Sequence, residues 1–168
     1  MSEGPALVAT SSQTVGPFLH LGLCTRETGR MTDALPAGER IRLRVAVVDG
    51  DGQPVPDALI EVCYLGVFGR VPTGEDGSGW FETVRPGTVP GAPEARHVSV
   101  CLFARGLLRQ LHTRIYFAVD DAGEDAVLAL VAEPRRSTLV ASADQSDPGL
   151  WHFTIRLQGH DETVFFDL

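Results

Sequence analysis

This sequence predicts an all-β fold: an antiparallel β-sandwich core with an extended N-terminal arm and one short helical segment. Three observations predict it. Most of the chain reads as short runs in which apolar and polar residues alternate, the signature of half-buried strands. Clusters of Gly, Pro and Asp separate the runs, and most of the 18 glycines and 11 prolines fall in those clusters, where turns need fixed or positive φ angles. EDAVLALVAEPRR is the one segment with a helical rhythm, enough for a turn or two.

The arm is expected over residues 1–40 and the sandwich over 41–168. Within the arm, SSQTVGPF has the pattern of neither a packed strand nor a helix, so it is expected to be disordered or held against something else. IRLRVAVVD (41–49) then places Ile41, Leu43, Val45 and Val47 on one face of a strand. DGDGQPVPDA turns the chain into LIEVCYLGVF, and GEDGSG (74–79) turns it into WFETV (80–84). In HVSVCLFA (97–104), Val98, Val100, Leu102 and Ala104 share one face, while His97, Ser99, Cys101 and Phe103 share the other. HTRIYFAV (112–119), TLVAS (138–142), WHFTIRLQ (151–158) and TVFFD (163–167) complete the strands. No internal repeat or low-complexity tract is present.

At 168 residues the chain is the size of one domain and can bury a proper core. Its 14 basic and 22 acidic residues give a formal charge of −8, which argues against a nucleic-acid backbone or an anionic membrane as partner. All the basic residues are arginine, and without lysine neither Schiff-base chemistry nor a P-loop phosphate site is available. No basic stretch followed by an apolar run stands at the N-terminus, and no apolar run is long enough to span a bilayer, so a cytoplasmic protein is expected. Cys24, Cys63 and Cys101 lack CxxC spacing, and buried reduced thiols are expected, the latter two within apolar strands.

Candidate chemistry is sparse. Residues two apart on a strand share a face, so paired histidines there can grip one metal ion; here His97 is followed on its face by Ser99, a poor ligand. A lone strand histidine is more often a hydrogen-bonded rim or core residue. His20, His112, His152 and His160 fall in no HxH or HExxH pattern. Tyr64 and Tyr116, the only tyrosines, read as packing residues with satisfied hydroxyls. No serine sits in a GxSxG elbow, and Glu61 and Glu82 have nothing nearby to mark them as a catalytic pair. On these residues alone, a binding module or an interaction subunit fits as well as an enzyme.

The blocks SQTVGPFLHLGL, DGQPVPDALIEV, FGRV, DGSGWFETVRPG, HVSVCLFARG, LHTRIYF, EPRRSTLVA and FTIRLQGHDETVFFDL occur in order from about residue 11 to the C-terminus. Together they resemble the intradiol ring-cleaving dioxygenases, and within them the α-type chains of the protocatechuate-cleaving enzymes. The resemblance implies a β-sandwich paired with a β chain, the two forming αβ protomers that assemble further as (αβ)n. In that family the β chain holds non-haem Fe(III) through two tyrosines and two histidines. The implied reaction opens protocatechuate with O₂, between its two hydroxyl-bearing carbons, to 3-carboxy-cis,cis-muconate, a step of β-ketoadipate aromatic catabolism.

The same resemblance implies that this chain holds no metal and contributes no catalytic residue. Catalytic chains read HxHF where this one has His97 and Ser99, and carry a tyrosine where RPGTVPG places Val89. The second tyrosine comes from a long insertion after an EVW strand; here EVCYLGVFGR passes almost directly on, and Cys63 stands where tryptophan is usual. His97 is therefore read as vestigial, with Ser99 and Val89 at lost ligand positions. Thr14, Val15, Gly16 and Pro17 are expected to wall the partner's substrate pocket, with Gly16 packed close to an aromatic ring. Arg105 is expected to face the same cavity, where a guanidinium suits a substrate carboxylate; without the resemblance it reads as a surface arginine at a strand end. The generic VxDxxGxPVxxA pattern alone permits a different protein, a free-standing transthyretin-like binding module without catalytic activity.

Overall fold

The computed structural model describes residues 11, 13, 14, 16, 19–24, 28–35, 38–87, 97–117 and 125–167. Strand β1 (Arg40–Val48) shows how the sequence builds the core: Ile41, Leu43, Val45 and Val47 are buried, while Arg40 and Arg42 point outward. Antiparallel β4 (Ser78–Val84) flanks it on one side. On the other side lies β8 (Leu150–Arg156), which pairs with β1 in parallel. The sheet is thus not purely antiparallel, because the chain from β1 to β8 crosses most of the molecule and is not confined to the reversal of a tight hairpin. β7 (Ser142–Ala143) completes the order β4-β1-β8-β7.

The facing sheet has the order β3-β2-β5-β6, from β2 (Leu59–Tyr64), β3 (Val67–Pro72), β5 (His97–Phe103) and β6 (Leu111–Tyr116). LIEVCYLGVF, expected as one run, is a hairpin broken at Leu65 (φ 49°) and Gly66 (φ 78°). Two consecutive positive φ angles make the turn whose twist matches antiparallel strands; glycine adopts it freely, and Leu65 bears the strain. Val62, Val98, Val100 and Leu102 fill the space between the sheets. Cys63 faces outward from β2 and is exposed, contrary to the buried thiol expected, because it alternates with inward Val62.

Three other segments depart from expectation. EDAVLALVAEPRR forms α2 (Ala126–Ala129) and α3 (Glu133–Arg136), and α3 runs into a 3₁₀ turn (Ser137–Leu139) where the TLVAS strand was expected. The Thr138 hydroxyl donates to the Arg135 carbonyl at 2.8 Å, so the helical path continues; of the expected strand, Val140 makes a single bridge to Tyr116 and Ser142 enters β7. TVFFD makes a single bridge, Phe166 to His112, instead of a strand. A further helical turn, α1 (Leu19–Leu23), occurs within the expected arm. No helix among the described residues is long and apolar enough to cross a membrane.

Residues 28–31 tie the two sheets together along one side. The Arg70 N–H of β3 donates to the Thr28 carbonyl at 2.8 Å, the Glu82 N–H of β4 to the Gly29 carbonyl at 3.0 Å, and the Met31 N–H to the Glu82 carbonyl at 2.8 Å. Met31 is itself buried in the core. Only glycine fits at position 29, since a Cβ there would lie 2.7 Å from the Trp80 carbonyl oxygen and 2.7 Å from Val71 Cγ1. Thr28 to Met31, read as part of the arm, are thus woven into this chain's own sandwich.

Candidate functional site

The sequence-identified residues fall at opposite ends of β5. His97 begins the strand and Arg105 lies just past its end; at about 3.3 Å per residue they stand roughly 25 Å apart.

At the Arg105 end, the turn after β5 is held from two directions. An Arg105 guanidinium nitrogen lies 3.1 Å from the Asp57 carboxylate, and the Gly106 N–H donates to Thr14 Oγ1 at 2.8 Å. The second bond brings Thr14 beside Gly106, 92 positions later in sequence. Arg105 and Thr14 are both exposed. A Cβ on Gly16 would meet nothing within 4 Å among the described residues. Val15 and Pro17 lie outside the described residues. Sequence reasoning missed Asp57, whose only signal was its place in a turn before a strand.

At the His97 end the outer face of the sheet carries a compact polar network. β5 and β6 set His97 opposite Tyr116 and Ser99 opposite Arg114. The Asp125 carboxylate, with only 1% of its side chain exposed, lies above them. It is 3.1 Å from the Tyr116 hydroxyl, 3.4 Å from an Arg114 guanidinium nitrogen and 3.8 Å from His97 Nδ1. Its other oxygen caps α2, accepting the Val127 and Leu128 N–H groups at 2.8 and 3.0 Å. Burial alone would raise the Asp125 pKa, but the capping N–H groups, the Tyr116 hydroxyl and Arg114 hold it below the usual carboxylate range. Burial pushes Tyr116 up to about 12, so its phenol stays protonated at neutral pH. An acidic residue just before AVLAL is a capping signal that the sequence did carry.

These residues do not fit a ferric ion. Fe(III) asks for phenolate, imidazole or carboxylate donors, but here the phenol is neutral and donates to Asp125. The carboxylate oxygens are already engaged, and a permanent guanidinium cation stands opposite Ser99. Among the described residues no group of three or more His, Cys, Asp or Glu could hold a metal. Leu65 and Gly66 alone join β2 to β3, leaving no loop there to bring in a further donor. Val89 lies outside the described residues. Elsewhere, a groove of about 580 Å³ along the β3 and β4 edges is lined by Cys24, Arg30, Arg42, Val71 and Trp80, and includes none of the site residues read from the sequence.

No family model matches the chain. It is 39% identical to the protocatechuate 3,4-dioxygenase alpha chain of Burkholderia cepacia over 195 aligned positions, covering 96% of this chain and 98% of that one. It is 38% identical to the alpha chain of the same enzyme from Pseudomonas putida, covering 96% and 97%. The beta chain from Burkholderia cepacia is more distant, 29% identical over 76% of this chain and 68% of that one. An aligned span longer than the 168 residues of this chain means that the alpha chain from Burkholderia cepacia carries insertions that this one lacks. Among solved structures, an intradiol ring-cleavage dioxygenase from Tetranychus urticae shares the fold, with TM-score 0.62, 15% identity, and 92% and 90% of the two chains covered. The dioxygenase domain of a carbohydrate-binding fusion from Streptomyces sp. SirexAA-E shares it too, with TM-score 0.58, 21% identity, and 98% and 97% covered. Identity at this level along nearly the whole chain, on an intradiol-type sandwich, shows that the chain belongs to the protocatechuate 3,4-dioxygenase alpha-chain family.

Proposed function

We propose that this chain is the non-iron-binding α subunit of a protocatechuate 3,4-dioxygenase and that it works in the cytoplasm as part of an (αβ)n complex. The complex adds O₂ across the bond between the hydroxyl-bearing carbons of protocatechuate and yields 3-carboxy-cis,cis-muconate, in the β-ketoadipate route of aromatic catabolism. Iron sits on the partner β chain. The α chain walls the substrate pocket there with Thr14, Val15, Gly16 and Pro17, and Arg105 meets the substrate carboxylate. The isolated α chain is inactive.

One observation supports this division of labour most directly. Thr14 is tied to Gly106 beside Arg105, so Thr14 and the arginine share one exposed surface, remote from the His97 end and its guanidinium-filled network. A surface of that kind suits a pocket completed by another chain.

Co-expression with a β chain tests the reading. The expected result is a complex with iron in proportion to β chain only, active on protocatechuate, and an α chain that is colourless and iron-free when purified alone. One equivalent of tightly held iron in the α chain by itself, or failure to bind any β chain, would favour a free-standing binding module. In the complex, Arg105→Gln should raise KM for protocatechuate roughly tenfold to a hundredfold with a smaller change in kcat, since a charge-assisted contact is worth about 1.5–3 kcal/mol. Catechol, which has no carboxylate, should lose little.

A further inference from the structure

We propose that Asp57 is a positioning residue for Arg105: it grips one edge of the guanidinium and leaves the remaining N–H donors aimed at a substrate carboxylate. This rests on the reading of Arg105 given above. A free arginine side chain samples many rotamers and loses that rotamer entropy when a ligand fixes it. A pre-formed partner removes part of that loss before the substrate arrives.

Asp57 is built to be such a partner. Its carboxylate lies 3.1 Å from an Arg105 guanidinium nitrogen, across 48 positions of sequence. Its backbone is clamped on both sides by one buried hydroxyl: Thr73 Oγ1 accepts the Ala58 N–H at 2.9 Å and donates to the Val55 carbonyl at 2.8 Å. Pro56 restricts φ immediately before it. Asp57 itself sits at φ 60°, a left-handed conformation uncommon outside glycine, which asparagine and aspartate tolerate best. The turn therefore holds the carboxylate on a rigid base. On the far side, the Gly106 N–H is held by Thr14, so the residues on either side of the Arg105–Gly106 peptide are both tethered. Arg105 has five N–H donors in a planar fork, enough to bridge Asp57 and a second carboxylate together.

The test uses the co-expressed αβ complex with protocatechuate and catechol as paired substrates. Asp57→Asn keeps an acceptor and tolerates φ 60°; Asp57→Gly also tolerates it and removes the tether, so neither adds backbone strain. Asp57→Gly should raise KM for protocatechuate about threefold to tenfold with kcat nearly unchanged, as expected for lost pre-organisation of a contact made in ground and transition state alike. Asp57→Asn should recover most of that loss, and KM for catechol should stay within about twofold in both variants. In an Arg105→Gln background, Asp57→Gly should add nothing further. An unchanged protocatechuate KM in Asp57→Gly, alongside a raised one in Arg105→Gln, overturns the positioning role. Equal losses on both substrates overturn it as well, since they mean that Asp57 supports the fold. If Arg105→Gln itself leaves KM unchanged, the reading of Arg105 fails first and the tether falls with it.

Discussion

Replacing Asp125 by alanine should destabilise the chain more than most single changes, because one carboxylate serves four groups at once. It accepts two capping N–H bonds at 2.8 and 3.0 Å and the Tyr116 hydroxyl at 3.1 Å, and it faces Arg114 at 3.4 Å. Loss of an N-cap costs about 0.5–2 kcal/mol, and an orphaned buried hydroxyl about 1–3 kcal/mol. The Arg114 side chain, 20% exposed, would also lose its partner, and breaking a buried pair costs about 3–5 kcal/mol. These costs overlap, so the net loss is set at about 4 kcal/mol, or roughly 10 °C in Tm for a chain of this size. Scanning calorimetry and urea titration of dilute protein measure it. Asp125→Asn keeps an acceptor for the cap and should lose about half as much. The sign with pH follows from the depressed Asp125 pKa: its contribution is complete above the unfolded value of about 4 and disappears as pH falls through the lower folded value. The gap between wild type and Asp125→Asn should therefore close as pH falls below about 4. A loss under about 1 kcal/mol for Asp125→Ala at pH 7 would refute the idea that this network is a stabilising centre.

Three other outcomes are expected. Gly29→Ala should cost about 1–3 kcal/mol in urea denaturation, because the new methyl meets the Trp80 carbonyl, which cannot turn aside as a side chain can. The Tyr116 phenol, pushed up to about 12, should contribute stability that is complete below about pH 10 and lost as pH rises toward that value. The difference in 295 nm absorbance between wild type and Tyr116→Phe follows this titration, and a midpoint near pH 10 in the folded protein contradicts it. Without its partner the chain should self-associate in light scattering despite its charge of −8, since Leu21, Leu65, Phe68, Leu108 and Leu130 are exposed; a monodisperse monomer at high concentration is the opposing result.

Which faces are buried was legible in the order of residues along each strand. Alternation with a period of two is a property of the extended backbone alone, so Ile41, Leu43, Val45 and Val47 could be assigned inward before any partner strand was known, as could Val98, Val100 and Leu102. The family blocks were likewise legible, because they are local strings. Features that depend on a second segment were settled only by folding. TLVAS and TVFFD have strand-like composition, yet a strand exists only where a neighbouring edge accepts its hydrogen bonds, and most of theirs go elsewhere. Thr28 to Met31 shows no strand pattern, yet it is fixed between β3 and β4 by bonds to residues about 40 to 50 positions away. Both polar clusters have the same character. Asp57 meets Arg105 across 48 positions, and Asp125 is brought over His97 by a helix cap and a β6 arginine. Pairing energy at 3 Å depends on distance in space, which local pattern does not encode, so only the folded chain brings these groups together.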